Sequence, residues 1–202
     1  MTFPTCPFMN DRVNAWSRLS YEDPRKVLLN LREAAASLSQ LAEAGIELDP
    51  LSLRLRTATL KKYREWRDAA IFVYTLSQVK GVPIYFATGE EADYDVVTAW
   101  KLGEERFFCP FQLKELPPED LNPKVTLAAI MSSLGKYATP TDTALAIKLS
   151  KRPELDLASL RVPNSFFSEV YLFWANSPDS ATFVIYGDLK GDPSAVEVPY
   201  PK

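Results

Sequence analysis

Two strand-like segments near the middle of the chain carry polar side chains that could hold a metal ion. Asp93 and Asp95 stand two residues apart at the start of the segment DYDVVTAW, and Gln112 and Lys114 have the same spacing in the next segment. Side chains two residues apart point to the same face of a strand. If the two faces coincide in a hairpin, two carboxylates, an amide oxygen and an ammonium group converge at one end of a sheet.

Carboxylate and amide oxygens are hard ligands of the kind that Mg²⁺ or Mn²⁺ prefers. A bound divalent ion lowers the pKa of its water and neutralises charge that develops on a phosphate. A lysine beside the ion can orient or deprotonate that water, or hold a phosphate oxygen. The simpler interpretation is that Asp95 begins a strand in water and that Lys114 reaches solvent from a strand end. We favour the metal site because an acid that enters an apolar strand needs a partner.

The composition excludes several classes of active site. The 202 residues include no histidine, which rules out Ser-His-Asp and Cys-His catalysis and zinc sites built on two histidines. Any acid-base chemistry must therefore come from Asp, Glu, Lys, Tyr or a metal-bound water. A net charge of -3 argues against a generally basic nucleic-acid binder, although a local basic groove is compatible with it.

The sequence also carries information on the compartment. The two cysteines, Cys6 and Cys109, fit no zinc spacing and are expected to be reduced thiols. The N-terminal residues do not have the pattern of a signal peptide, and no apolar run approaches transmembrane length. We therefore expect a cytoplasmic protein without a membrane partner.

Hydrophobic periodicity and turn residues give the chain an α/β order of elements. The first 22 residues are predicted to be irregular. Asn122 and Pro123 are predicted to cap the middle helix, and Pro110 suggests an edge strand or a bulge. In chain order the predicted elements are helices over 23–45 and 57–81, strands over 83–89, 93–100 and 106–116, a helix over 124–138, a strand over 143–151, and a hairpin of 168–176 with 181–189.

The strand pair resembles a known nuclease pattern. Asp95, sixteen intervening residues and then Gln112-Leu113-Lys114 is similar to the PD-(D/E)xK motif of restriction-endonuclease-like nucleases, some branches of which carry a Q-x-K version. The order helix, three strands, helix, strand over 57–151 is also similar to the core of that family. The resemblance covers about half of the chain.

The resemblance implies a restriction-endonuclease-like α/β core, a central mixed sheet flanked by helices, that hydrolyses nucleic acid, with DNA as the favoured substrate. It implies that Asp95 and Gln112 hold Mg²⁺ or Mn²⁺ and that Lys114 is the catalytic lysine. Because Asp95 alone would hold the ion weakly, Asp93, Glu91 or Glu65 would need to supply a further ligand. Some branches add an acid from the first core helix, and Glu65 could fill that place.

Two departures from the family pattern keep an alternative open. Tyr94 precedes Asp95 where the family has proline, and Gln112 replaces a carboxylate. The alternative is a catalytically inactive protein of the same fold that binds nucleic acid or another protein. A third hypothesis is a structural subunit in which these polar residues pair only with each other.

One domain is the simplest account of the chain. Residues 1–56 are interpreted as an N-terminal helical extension, 57–189 as the nuclease-like core with a C-terminal hairpin, and 190–202 as an irregular tail rich in proline and glycine. Aromatic side chains of the hairpin could form a homo-oligomer interface; these are Tyr171, Phe173 and Trp174.

Basic residues on the second predicted helix have two interpretations. Lys61, Lys62, Arg64 and Arg67 could contact phosphates, but an ordinary solvated helix face is the favoured interpretation. Lys148, in the strand that follows the second core helix, has the same two interpretations.

Overall fold

A seven-stranded mixed sheet forms the centre of the computed structural model, which describes residues 10–91, 94–134, 142–150, 162, 167–176 and 181–202. The strands lie side by side in chain order. They are β1 (Tyr85–Glu91), β2 (Tyr94–Leu102), β3 (Glu105–Leu116), β4 (Ala144–Leu149), β5 (Val170–Ala175), β6 (Thr182–Gly187) and β7 (Ser194–Pro199).

The sheet has a parallel centre and two antiparallel wings. The strands β1, β2 and β3 pair in antiparallel fashion, β3, β4 and β5 run parallel, and β5, β6 and β7 are again antiparallel. The helices are α1 (Asn10–Trp16), α2 (Pro24–Glu43), α3 (Pro50–Leu53), α4 (Lys61–Lys80) and α5 (Leu127–Ser133), with one 3-10 turn over Ala58–Leu60. The predicted α/β class is therefore confirmed at the level of a mixed open sheet with helices.

Local signals explain where the two long helices begin and end. The Asp23 side chain accepts a hydrogen bond from the amide of Arg25 at 2.9 Å, and Pro24 occupies the first turn of α2. Gly81 ends α4 in the left-handed conformation with φ 68°, which a residue with a Cβ rarely adopts. Both features match the signals predicted from the sequence. No described helix is long and apolar enough to cross a bilayer.

The helix α4 packs on one face of the sheet, which we call the α4 face. Its central residue is Phe72, fully buried, whose ring lies 4.9 Å from Phe111 on β3 and 5.4 Å from Phe173 on β5, measured between ring centroids. Tyr171 is buried in the same core. Burial of Tyr171 and Phe173 corrects the hypothesis that they form an interface between copies, because strand alternation turns both toward α4.

The other face of the sheet, which we call the α5 face, has two smaller cores. Near α5, Met131 packs with Ile147 of β4 and Leu172 of β5. Near α1, Trp16 packs with Val97 of β2 and donates its indole N–H to the hydroxyl of Tyr94 at 3.0 Å. The structured α1 corrects the prediction of an irregular N-terminal segment, because the buried Trp16 anchors this helix to the sheet.

Two further local predictions are wrong. The middle helix is capped by Thr126, whose hydroxyl accepts from the Ala129 amide at 3.1 Å, rather than by Asn122 and Pro123. The tail is not irregular throughout, because β7 pairs with β6 along its whole length and buries Val198. The proline at the end of β7 is compatible with strand pairing because β7 is an edge strand.

Pro110 lies on the part of β3 that pairs with β2 alone, which agrees with the predicted edge position, and its pairing with Val97 has no bulge. The Leu113 amide points toward β2, since it donates to Asp95 there, and alternation therefore directs the Pro110 nitrogen toward β4. Pairing with β4 starts only at Phe111, so the missing N–H interrupts no ladder bond.

Candidate functional site

The predicted trio, Asp95, Gln112 and Lys114, lies on neighbouring strands of the sheet. The pairing of β2 with β3 ends at Val96 and Phe111, one residue short of Asp95. Gln112 and Lys114 lie on the α5 face of β3, because Phe111 and Leu113 pack toward α4. Asp95 reaches the same part of β3 through a hydrogen bond with the backbone amide of Leu113, the residue between them.

Asp95 is exposed and has a structural contact of its own. Its Oδ2 accepts a hydrogen bond from the backbone amide of Leu113 at 2.7 Å. An antiparallel ladder that continued past Val96 would give this amide a backbone carbonyl instead. The carboxylate thus ends the β2–β3 ladder. Its other oxygen, Oδ1, makes no hydrogen bond within the described part of the chain.

Gln112 is the least satisfied member of the trio. Its side-chain oxygen Oε1 is buried and has no hydrogen-bond partner among the described residues. A buried acceptor without a partner costs about 1–3 kcal/mol. Such an atom in a native structure calls for an explanation, and a bound ion is one of the ordinary explanations.

The trio offers only part of a metal site. Asp95 and Gln112 supply oxygen ligands, which fits Mg²⁺ or Mn²⁺ and not a thiophilic metal. Within the described ranges, no group of three or more Asp, Glu, His or Cys residues could hold a metal ion. Mg²⁺ tolerates few protein ligands because it retains several waters. The donor set therefore fits a weakly held Mg²⁺ with mostly water ligands.

Of the further predicted ligands, Glu65 does not join the trio. Asp93 lies outside the described residues. Glu65 is exposed on α4, where its carboxylate lies 3.4 Å from the ammonium of Lys61. Because α4 covers the opposite face of the sheet, Glu65 and the trio do not converge.

A second polar site lies on the α4 face, at the carboxyl ends of β3 and β4. We call it the charged cluster. It comprises Arg56, Arg64, Arg67, Asp68, Glu115, Lys148 and Ser150.

Four separate parts of the chain position the charged cluster. Glu115 and Lys148 are register partners on the parallel strands β3 and β4, so their side chains lie side by side. Asp68 comes from α4 above them, and Arg56 from the segment that follows α3. Lys148 interrupts a strand whose other five residues are all buried, which places its charge deep in the fold.

Glu115 has several donors around it. Both guanidinium nitrogens of Arg56 donate to its carboxylate, at 2.6 and 2.9 Å, and the Ser150 hydroxyl donates to Oε1. Burial alone would raise the pKa of Glu115, but the hydrogen bonds from Arg56 and Ser150 and the charge of Lys148 outweigh it and lower the pKa to about 2. Glu115 is therefore ionised at neutral pH.

Asp68 is the second acid of the cluster and one of the few buried charged residues. Its Oδ1 accepts from Lys148 Nζ at 2.7 Å and from Arg67 Nε at 3.2 Å. Burial lowers the pKa of Lys148 from its usual value, and the neighbouring Asp68 and Glu115 carboxylates oppose that shift. One carboxylate oxygen thus serves two cations.

The charged cluster has more positive than negative groups. Its four cations come from Arg56, Arg64, Arg67 and Lys148, and its two carboxylates from Asp68 and Glu115. This local surplus contrasts with the net charge of -3 for the whole chain. A positive surplus in a partly buried place favours the binding of an anion.

The sequence identifies several residues of the charged cluster but does not predict that they lie together. It favours a solvated position for Arg64, Arg67 and Lys148, and it does not single out Glu115. The signal that could identify the cluster is a pair of charges, Glu115 and Lys148, at the ends of two apolar predicted strands that a helix connects.

Comparison of the chain with family models, with curated proteins and with solved structures gave no match.

Proposed function

We propose that the chain is a divalent-metal-dependent nuclease with a restriction-endonuclease-like core. The observation that carries the proposal is the buried Oε1 of Gln112, which has no partner among the described residues and belongs to the neighbour of Leu113, whose amide donates to the Asp95 carboxylate at 2.7 Å. The order of elements also supports it. A helix precedes three antiparallel strands, and a second helix leads into a fourth strand parallel to the third.

In this proposal Asp95 and Gln112 would hold Mg²⁺ or Mn²⁺ through Oδ1 and Oε1. When bound, the ion would supply an activated water and neutralise charge on the scissile phosphate. Asp95 keeps its Oδ2 on the Leu113 amide, which fixes the orientation of the carboxylate. Lys114 would hold a phosphate oxygen or orient the attacking water. DNA is the proposed substrate.

The test is cleavage of labelled DNA and RNA, single-stranded and double-stranded, with Mg²⁺ or Mn²⁺ and with a chelator as the blank. Asp95→Asn keeps an acceptor for the Leu113 amide and removes the charge, and Lys114→Met removes the ammonium group. We expect metal-dependent cleavage by the wild type and a loss of about a hundredfold or more in each variant. Lys101→Met is the matched control, because Lys101 is an exposed lysine near the far end of β2 and should retain wild-type activity.

Two results would contradict the proposal. Equal cleavage by the wild type and both site variants would show a contaminating nuclease. Absence of cleavage on every substrate and with either metal, by a folded protein, would remove the catalytic hypothesis.

A second candidate is a protein of the same fold that binds nucleic acid without cleaving it. One observation favours it: Gln112 stands where a second carboxylate would, and no three-ligand acidic group exists among the described residues. Fluorescence anisotropy with labelled DNA would separate the candidates. The binding-only protein would bind DNA equally with and without Mg²⁺, and Asp95→Asn would not change its affinity.

A further inference from the structure

A cavity of about 690 Å³ lies on the α4 face, beneath α2 and beside the ends of β4, β5 and β6. Its volume is within the range of about 300–1,000 Å³ that small-molecule sites occupy. Most of its wall is apolar, with Leu38 of α2, Leu53 of α3, and Phe173 and Phe183 of the sheet. None of the predicted trio lines it, and Gln112 and Lys114 are on the opposite face of the sheet.

The charged residues that line the cavity all have one sign. They are Arg32, Arg67 and Lys148, and no carboxylate is among the described lining residues. The Arg32 guanidinium lies 4.0 Å from the centre of the Tyr200 ring, which also lines the cavity. The cavity wall is thus apolar with a cationic edge.

Two of these cations have donors that no acceptor among the described residues uses. Lys148 Nζ makes one hydrogen bond within the described residues, to Asp68, although an ammonium has three donors. Arg67 contacts the same Asp68 oxygen through Nε alone, so its two terminal nitrogens have no acceptor in the described part of the chain. Unused donors of half-buried cations are costly unless an acceptor from outside supplies the bonds.

The position of the cavity agrees with a general property of α/β sheets. Ligands bind at the carboxyl ends of parallel strands. Lys148 is the next-to-last residue of β4, and the last two residues of the parallel strand β5, Trp174 and Ala175, line the cavity.

We propose that this cavity binds a small organic acid. Its anionic head group, a carboxylate or a phosphate ester, would accept hydrogen bonds from Lys148 Nζ and from the terminal nitrogens of Arg67. Its apolar body would lie between α2 and the sheet, against Leu38 and Phe173. The site is separate from the proposed nuclease site and does not depend on it.

Matched amphiphiles test the charge preference. Decanoate, decyl phosphate, decanol and decyltrimethylammonium would each compete with anilinonaphthalene sulfonate for the wild-type protein, followed by fluorescence. We expect at least one of the two acids to bind about tenfold or more tightly than the alcohol, because charge-assisted hydrogen bonds are stronger than those of a neutral hydroxyl. The cation should bind most weakly. Equal affinity for all four compounds would overturn the proposal.

A pair of alanine substitutions tests the place of binding. Ala35 and Ala36 are both exposed on α2, but only Ala35 lines the cavity. Ala35→Phe should fill the cavity and weaken binding of the tighter acid about tenfold, whereas Ala36→Phe should leave it within about twofold of the wild type. Equal loss in both variants, or loss in neither, would show that the acid binds elsewhere.

Arg67→Gln completes the test of the head-group contact. It should weaken binding of the acid about tenfold and leave the affinity for decanol unchanged, because only the acid accepts hydrogen bonds from the guanidinium. A matched Lys62→Gln change on the exposed part of the same helix, away from the cavity lining, should alter neither affinity. A parallel loss for acid and alcohol in Arg67→Gln would mean that the variant damages the cavity, and the anion contact would be wrong.

Discussion

The two faces of the sheet carry polar groups that are assembled in different ways. The predicted trio comes from one hairpin, and Gln112 of this trio, on the α5 face, has a buried amide oxygen without a partner among the described residues. On the α4 face, the charged cluster comes from four parts of the chain, and both of its carboxylates accept at least two hydrogen bonds. Residues that are near one another in the sequence therefore do not form the polar site with the most hydrogen bonds in this fold.

The difference has an energetic consequence. The ions of the charged cluster lie in a place of low solvent access, where removal of one partner leaves another charge without compensation. The exposed carboxylate of Asp95 can exchange its partner for water at little cost. We therefore expect the α4 face to dominate stability and the α5 face to respond mainly to ligands.

The largest expected difference in stability is between substitutions of two lysines on adjacent strands. Lys148→Met removes the ammonium from Asp68 and leaves a buried carboxylate with one weak donor, which should lower the free energy of unfolding by about 3–5 kcal/mol. Lys114→Met should lower it by less than about 1 kcal/mol, because Lys114 lies near the end of the strand pair. Urea unfolding, followed by circular dichroism, measures both.

A double variant separates the ion pair from simple packing loss. Asp68→Leu together with Lys148→Met replaces both charges by apolar groups and should recover most of the stability that Lys148→Met loses. If the double variant were less stable than either single variant, the cost would come from packing and not from the uncompensated carboxylate.

The next prediction concerns the stability of the fold at low pH. Because the pKa of Glu115 is lowered from 4.5 to about 2, this group stabilises the fold fully above pH 4.5 and loses that effect as the pH falls toward 2. With solvent screening taken into account, the contribution is about 2 kcal/mol. Glu115→Gln should therefore be less stable than the wild type at pH 7, and the difference should shrink between pH 4.5 and pH 2.

Arg56→Gln is the companion variant for this pH dependence. It removes the main donor to Glu115 and should show the same shrinking difference, with little further change in the double variant. Additive effects of the two substitutions over the whole pH range would contradict the coupling between Arg56 and Glu115.

The sequence predicts the hairpin and the trio because both follow from local rules. Strand alternation and turn residues are properties of a few neighbouring residues, so the sequence alone is enough to expect Gln112 and Lys114 on one face of a strand. The helix cap at Asp23 and the stop at Gly81 are local in the same way. The fold class follows from the order of such elements.

The charged cluster cannot be predicted in that way. The contact between Asp68 and Lys148 joins residues 80 positions apart and depends on how α4 crosses the sheet, which no local pattern specifies. The strand β7 escapes sequence reasoning for a related reason. Its pairing with β6 outweighs the proline and glycine content that suggests an irregular tail.

The smallest expected change in the free energy of unfolding comes from a substitution on the α5 face. Gln112→Leu removes a buried oxygen that has no partner among the described residues, so in the absence of metal it should be neutral or raise the free energy of unfolding by up to about 1 kcal/mol. Gln78→Leu, a change of an exposed glutamine on α4, is the control and should have no effect in either condition. Thermal unfolding with and without Mg²⁺ measures both variants.

The change in unfolding temperature with Mg²⁺ tests whether the Oε1 of Gln112, which has no partner among the described residues, is a metal ligand. An ion that binds only the folded state raises the unfolding temperature of the wild type, and this increase should disappear in Gln112→Leu but persist in Gln78→Leu. If Mg²⁺ stabilised the wild type and Gln112→Leu equally, the ion would bind elsewhere. The Gln112 oxygen, which has no partner among the described residues, would then not be a metal ligand, and the catalytic hypothesis for the α5 face would be wrong.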